Sequence, residues 1–153
     1  GANITQLIIN TEKRLGLDDS KLQELKVEPN WILITRSGST GIISSVPEAW
    51  KGYAISEHVI RIIPDENKLS GKYLYAFLKT KLGQNMLAQG VYGSVIDEIT
   101  PEFIGNIEIP IPNSELMFQL VVNRINEGEK ARQKAIDSLN SGVEELEREL
   151  LMN

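Results

Sequence analysis

The chain has 153 residues, of which 41% are hydrophobic and 24% are charged, and this is enough for one folded domain with a core of its own. Because cysteine is absent and His58 is the single histidine, the composition excludes a disulfide framework and disfavours a metal site built from cysteine or histidine. The net charge of −5 argues against nucleic acid as a partner, although residues 1–113 hold 11 basic and 13 acidic side chains and are therefore nearly neutral.

The opening of the chain predicts a cytoplasmic protein. It lacks the pattern of a signal peptide, and no run of about 18 apolar residues follows anywhere in the sequence. The absence of an initiator methionine indicates a fragment or a processed chain. Residues 7–9 fit a helix or a strand equally well, and a capping pair at residues 19–20 predicts a short helix over residues 21–26.

A hairpin is predicted in the next segment. Residues 31–36 form an apolar run rich in β-favouring side chains, and residues 42–46 are typical of the returning strand. Residues 37–41 are small and suit the connection. After a surface loop at residues 47–52, residues 53–63 are the longest strand candidate.

A long amphipathic helix is predicted from Ser70 to about Gln89. Its apolar residues recur with helical spacing, Ser70 suits the N-cap, and Gly90 suits the C-terminal cap. Gly83 lies inside this helix at a cost of about 1 kcal/mol relative to alanine, which predicts that another backbone approaches it closely.

A short helix and an edge strand are predicted to end the globular part near Pro112. Thr100 suits the N-cap and Pro101 the first helical position, while Gly105 ends the turn. In residues 107–111 isoleucine alternates with glutamate and proline, which indicates a strand with one buried face at the edge of a sheet.

The C-terminal segment from Ser114 onward is predicted to be one helix about 50 Å long. Its apolar residues fall on heptad spacing, with Glu129 and Arg132 at the two polar positions in the middle. We name these apolar residues the heptad stripe, and they are Phe118, Val122, Ile125, Ile136, Leu139, Val143, Leu146 and Leu150. A helix of this length needs a partner helix, so the chain divides into a domain at residues 1–112 and a helical spacer or dimerisation segment at residues 113–153.

Several exposed polar groups suit contacts with DNA. The segment from Arg36 to Gly41 offers backbone N–H groups, hydroxyls and a guanidinium, although it also fits a plain connection between strands. Tyr92 lies between glycines and fits either base stacking or core packing. Lys51 lies beside two aromatic residues, Trp50 and Tyr53. The candidate DNA-contacting residues are Arg36, Ser37, Ser39, Thr40, Lys51, Lys79, Lys81, Tyr92 and Ser94.

The sequence contains none of the catalytic motifs with which it was compared. Residues 64–68 contain pieces of a metal-dependent nuclease motif, but the pieces abut in a turn instead of lying on separate strands. The adjacent carboxylates Asp97 and Glu98 point apart in extended chain and do not form an acid and base pair. His58 has no second ligand and is expected to make a structural hydrogen bond from a strand. We therefore predict a protein without catalytic activity, cofactor or metal.

Five segments in a fixed order resemble one known family. They are ILITRSG at 32–38 with Gly41, ISEHVIRI at 55–62, YLYAFL at 73–78 with Gly83, GSVI at 93–96, and IEIPIP at 107–112 before the long helix. Together they resemble the target recognition domain of the DNA specificity subunit of Type I restriction-modification enzymes, over roughly residues 31–150.

The resemblance implies an α+β recognition domain that binds duplex DNA and reads one half of a bipartite target. It also implies two kinds of partner that carry out the reactions: a methyltransferase subunit, which binds S-adenosylmethionine, and a nuclease subunit. Because the chain has one such domain and one spacer helix, it corresponds to a half-subunit, to a fragment, or to a protein that dimerises through its helix. Two alternatives stay open: a protein-interaction module that acts through the coiled-coil helix without reading DNA, and the recognition domain of a Type IIG or IIB system.

Overall fold

The computed structural model describes residues 2–7, 9, 22–91 and 98–152, and it has the predicted α+β fold with a long C-terminal helix. Single-turn 3-10 helices at Ala2–Thr5 and Glu48–Trp50 accompany the main elements. The main elements are α1 (Leu22–Leu25), β1 (Ile32–Thr35), β2 (Ile43–Ser45), β3 (Val59–Ile62), α2 (Gly71–Lys79), α3 (Lys81–Gln89), α4 (Pro101–Gly105) and α5 (Glu115–Leu151).

The three strands form one antiparallel sheet in the order β2-β1-β3. The predicted hairpin of β1 and β2 is confirmed, with Leu33 opposite Ser44. The predicted long strand over residues 53–63 is wrong in its first half, because pairing with β1 begins only at Val59. The preceding residues pass beyond the end of β1 and turn, and Ala54 makes an isolated bridge to Lys26 instead.

The sheet is covered on both faces, which explains the unbroken apolar run of β1. Side chains alternate between the faces of a strand, so Ile32 and Ile34 enter one core cluster while Leu33 enters another. The first cluster is completed by helix and loop residues, namely Phe77, Leu78, Leu87 and Ile99, together with Ile43 of β2. The second contains Ile4, Val27, Val46, Trp50 and Val59.

The predicted helix over residues 70–89 is two helices that meet at Thr80. Ser70 caps α2 as predicted, accepting the N–H of Lys72. Thr80 is extended, and its hydroxyl accepts the N–H of Gly83, so it acts as the N-cap of α3. A Cβ on Gly83 would lie 2.8 Å from the Cα of Leu78, which confirms the predicted close approach of another backbone.

The predicted cap of α4 is confirmed, since the Thr100 hydroxyl accepts the N–H of Phe103. The predicted strand after α4 is wrong, because residues 107–112 have no regular secondary structure and pair with no described strand. Ile107 and Ile109 still pack on the first core cluster, as their alternation indicated. Prolines in this segment donate no ladder hydrogen bond, and the Tyr73 hydroxyl binds the Pro110 carbonyl instead.

Helix α5 has 37 residues, capped by Ser114, and is about 55 Å long. Its first half packs along the body, where the ring of Phe118 stacks on Tyr73 at a centroid distance of 4.8 Å. The polar middle of the helix is explained by body contacts, because Glu129 pairs with Lys72 and the Arg132 guanidinium lies over the ring of Trp50. The division at residue 112 stays a prediction.

Candidate nucleic-acid interface

The β1–β2 loop is a tight connection held by a hydroxyl. Gly38 and Gly41 have φ values of +75° and +80°, which favour glycine. The buried Thr35 hydroxyl donates to the carbonyl of Ser39 and accepts the N–H of Ile42 at 2.9 Å. The loop is therefore anchored from below, and Ser37, Ser39 and Thr40 lie at its half-buried or exposed outer side.

Arg36, at the end of β1, joins this loop to the chain that precedes α4. Its guanidinium pairs with Glu98, with Nη2 at 2.9 Å and Nε at 3.1 Å from the same carboxylate oxygen. The Arg36 carbonyl accepts the N–H of Ile99, and its own N–H donates to the carbonyl of His58. Three distant parts of the chain therefore meet at this residue.

His58 is exposed in the turn before β3 and lies 2.8 Å from the Ser37 hydroxyl. The hydrogen bond expected of this histidine is present, although it comes from a turn and not from a strand. We name Arg36, Ser37, Ser39, Thr40 and His58 the Arg36 surface. It presents a guanidinium, hydroxyls and an imidazole at one end of the sheet, which are groups that serve contacts with phosphates and base edges.

Tyr92 and Ser94, the other predicted loop contacts, lie outside the described residues. The chain becomes described again at Glu98, which is the residue that pairs with Arg36. The β1–β2 loop is therefore joined through Arg36 to Glu98, the first described residue after that gap. Glu98 itself was missed as a functional residue, because its only local signal was the adjacent Asp97.

The predicted lysine contacts lie on exposed surface. Residues 67–96 contain four lysines and no acidic residue. Two of the lysines are neutralised, Lys68 by Asp65 and Lys72 by Glu129. The other two, Lys79 at the end of α2 and Lys81 at the start of α3, are exposed and form no ion pair with the described residues.

The predicted patch around Lys51 is only partly available. Lys51 is exposed and lies 3.9 Å from Glu48, and Tyr53 is exposed as well. Trp50 is only 3% exposed and packs under the Arg132 guanidinium, 4.8 Å from its ring. The indole therefore stabilises the docking of α5 and does not offer a stacking surface to a base.

The heptad stripe lies in two different environments. Up to Ile136, which is only 2% exposed, its members are half-buried or buried. Beyond Ile136 the stripe is uncovered, with exposures between 48% and 67% at Leu139, Val143, Leu146 and Leu150. The pairing of this distal part with another helix stays a prediction.

Two side chains that interact with each other at α5, Tyr75 and Arg132, have shifted pKa values. Burial raises the pKa of Tyr75, and nearby Arg132 opposes that shift. Burial likewise lowers the pKa of Arg132. At α4, hydrogen bonds from its own backbone N–H and from Thr100 lower the pKa of Glu102. In the described part of the chain, no three acidic or histidine side chains lie close enough together to hold a metal ion.

The comparisons with known proteins give one match. Residues 5–134 match the family model described as Type I restriction modification DNA specificity domain, and the match covers the sheet, α1 to α4 and the first 20 residues of α5. No curated protein matches the chain. No helix among the described residues has the length and apolar character needed to cross a membrane.

Proposed function

This chain belongs to the family of Type I restriction-modification DNA specificity domains, and from that premise we propose that it reads one half of a bipartite DNA target through the Arg36 surface. The observation that carries this proposal is the convergence of Arg36 and Ser37 with His58 at one end of the sheet. Backbone hydrogen bonds of Arg36 with His58 and Ile99 tie these loop residues to the ends of β1 and β3, and their donors and acceptors suit base edges in the major groove.

The remaining predicted contacts divide by chemistry. Lys79 and Lys81 are proposed to bind phosphate oxygens, and their exposure and the absence of an ion pair with the described acidic residues support this. Lys51 is a further phosphate contact beside Tyr53. Such contacts fix the position of the protein on the duplex, whereas the Arg36 surface specifies the bases. Tyr92 and Ser94 complete the proposed contacts on the sequence argument alone.

Specificity domains of this family are in general non-catalytic and act with restriction-modification subunits. We propose the same division of labour here, with a methyltransferase subunit docked on this chain and a nuclease subunit supplying cleavage. The uncovered part of the heptad stripe, from Leu139 to Leu150, is proposed to pair with the helix of a second recognition half or of a second copy of the chain. A cytoplasmic location stays a prediction.

The test is selection from randomised duplex DNA at two salt concentrations, followed by sequencing of the retained fraction. A specific reader enriches a short motif that survives the higher salt, whereas binding through phosphates alone weakens equally on all sequences. Arg36→Ala should relax the preference at one base pair and cost about 1–3 kcal/mol there. Enrichment of no motif by the wild-type chain would overturn the proposal.

A second candidate function is a protein-interaction module that acts through α5. The observation in its favour is the row of four exposed apolar residues beyond Ile136. Light scattering over a range of concentrations tests it: a dimer together with the absence of DNA selection would support this candidate. A recognition domain of a Type IIG or IIB system would select DNA in the same way, and it would differ in a methyltransferase and nuclease that are fused or associated.

A further inference from the structure

The Glu98 carboxylate contacts one particular edge of the Arg36 guanidinium. A single oxygen of the Glu98 carboxylate accepts a hydrogen bond from Nε of the guanidinium at 3.1 Å and lies 2.9 Å from Nη2. These two atoms form the side edge of the guanidinium plane. The carboxylate therefore occupies the side edge and leaves the outer edge, which carries Nη1 and the second hydrogen of Nη2, without this partner.

The outer edge of a guanidinium is a pair of parallel N–H donors. In the major groove, guanine presents two neighbouring acceptors, O6 and N7, that match such a pair. Adenine presents the N7 acceptor and the N6 amino donor at the same places. One N–H of a rigid pair of donors would therefore face the N6 amino group and be repelled by it. Among the purines, the edge that Arg36 leaves open therefore fits guanine.

Glu98 is itself well placed to hold this orientation. The next residue, Ile99, is fully buried, and its N–H donates to the Arg36 carbonyl, so both partners are fixed to the same backbone junction. The side chains are 38% and 27% exposed, so the pair is only partly solvated. A carboxylate beside a phosphate contact would repel the phosphate, whereas a carboxylate behind a base contact orients the guanidinium before DNA arrives.

We infer that Glu98 is a positioning residue that presents the outer edge of Arg36 to a guanine in the major groove. This inference rests on the proposed function and adds to it the identity of one base. It predicts that the selected half-site contains at least one guanine whose contribution depends on both Arg36 and Glu98.

The test uses the half-site enriched by the wild-type chain, with each guanine replaced in turn. The base 7-deazaguanine lacks the N7 acceptor, and at the guanine bound by Arg36 it should weaken binding about 5- to 150-fold, the range of a bidentate contact. Inosine keeps O6 and N7 and should bind as guanine does. Because these measurements use the wild-type chain, they do not depend on the folding of any variant.

Two glutamate variants then separate positioning from charge. Glu98→Gln should reduce the penalty of 7-deazaguanine several-fold while affinity for unrelated DNA is kept or increases. Glu102→Gln is the matched control, because it removes the same charge near Arg36 but lies outside the hydrogen bonds of the pair. Circular dichroism spectra of both variants check that they are folded.

The outcomes are distinct. If no guanine in the half-site is sensitive to 7-deazaguanine, or if Arg36→Ala keeps the full sensitivity, the inference is overturned while the proposed function stands. If Glu98→Gln and Glu102→Gln change binding equally, Glu98 acts by charge alone and is not a positioning residue. If the wild-type chain enriches no half-site, the proposed function fails and the inference fails with it.

Discussion

Replacing Ile136 by alanine should lower the free energy of unfolding by about 2–5 kcal/mol, the range for deleting a large aliphatic side chain from a packed site. Ile136 is only 2% exposed, although it lies in the same heptad stripe as four residues that are about half to two-thirds exposed. The prediction follows from the structure and not from the pattern, because the pattern treats all these positions alike.

The expected loss of stability in Ile136→Ala follows from the three carbon groups that the substitution removes. At about 0.8 kcal/mol per buried methylene, the transfer term is roughly 2.4 kcal/mol, and the cavity that remains adds to it. Alanine is the better helix former by a few tenths of a kcal/mol, which offsets a small part of the loss. A net cost near 3 kcal/mol is a large fraction of the stability of an ordinary domain.

Val143→Ala is the matched control. Val143 is 54% exposed, so removal of its two methyl groups loses roughly half of the buried transfer term, about 0.8 kcal/mol. The higher helix propensity of alanine offsets about 0.5 kcal/mol of this loss. The variant should therefore unfold within a few tenths of a kcal/mol of the wild-type chain when the protein is dilute.

Denaturant unfolding measures both variants. Trp50 lies under Arg132 of α5, so indole fluorescence reports release of the helix, and circular dichroism reports loss of helix as a whole. The measurements are made at two protein concentrations. If Val143→Ala costs as much as Ile136→Ala even at the lower concentration, the distal half of α5 is covered in solution and the argument from exposure is refuted.

Three further predictions concern the helices of the body and of the tail. Gly83→Ala should destabilise the chain by about 1–3 kcal/mol, because the new Cβ would meet backbone, whereas Gly128→Ala, with open space around it, should stabilise it by up to about 1 kcal/mol. Burial raises the pKa of Tyr75 in the folded chain. The contribution of Tyr75 to stability is therefore complete below the unfolded pKa of about 10 and is lost as the pH rises through the folded pKa. Tyr75→Phe should make the free energy of unfolding fall less steeply at alkaline pH. Replacing Lys79 and Lys81 by glutamine should weaken DNA binding uniformly and lower the salt slope by about 1 per lysine.

Each of these has a result that contradicts it. Equal thermal unfolding of the two glycine variants would mean that α3 does not lie against the end of α2. If stability falls as steeply at alkaline pH in Tyr75→Phe as in the wild-type chain, the phenol of Tyr75 is as solvated in the folded chain as in the unfolded one. A change in the preferred bases after the lysine substitutions would mean that the lysines contact bases and not phosphates.

Local signals predicted much of the fold. The caps at Ser70 and Thr100 are at the predicted residues, because a cap depends on residues within about three positions of it. The hairpin of β1 and β2 was predictable for the same reason. The break at Thr80 was missed because the apolar spacing continues through it, although a threonine three residues before a glycine was a usable sign of a second cap.

The candidate site was predictable only in part. Arg36 and the small residues after it predict a polar loop. The partner of Arg36, however, is 62 residues away in the sequence. In the sequence, the one local feature of Glu98 is its neighbour Asp97, and adjacent carboxylates in extended chain point apart. The lysines of α2 and α3 are visible in the sequence, yet only the structure distinguishes Lys72, which is neutralised, from Lys79, which forms no ion pair with a described residue.

The sequence by itself determined the fold class, the helix caps, the hairpin and the order of motifs that indicates the family, because each depends on neighbours in the chain. Tertiary structure alone decided the ends of β3, the absence of a strand after α4 and the division of the heptad stripe at Ile136. It also decided the pairing of Lys72 with Glu129, 57 residues apart, and of Arg132 with the Ser45 carbonyl, 87 residues apart. Contacts across such separations depend on how the elements pack, and no periodicity within one segment carries that information.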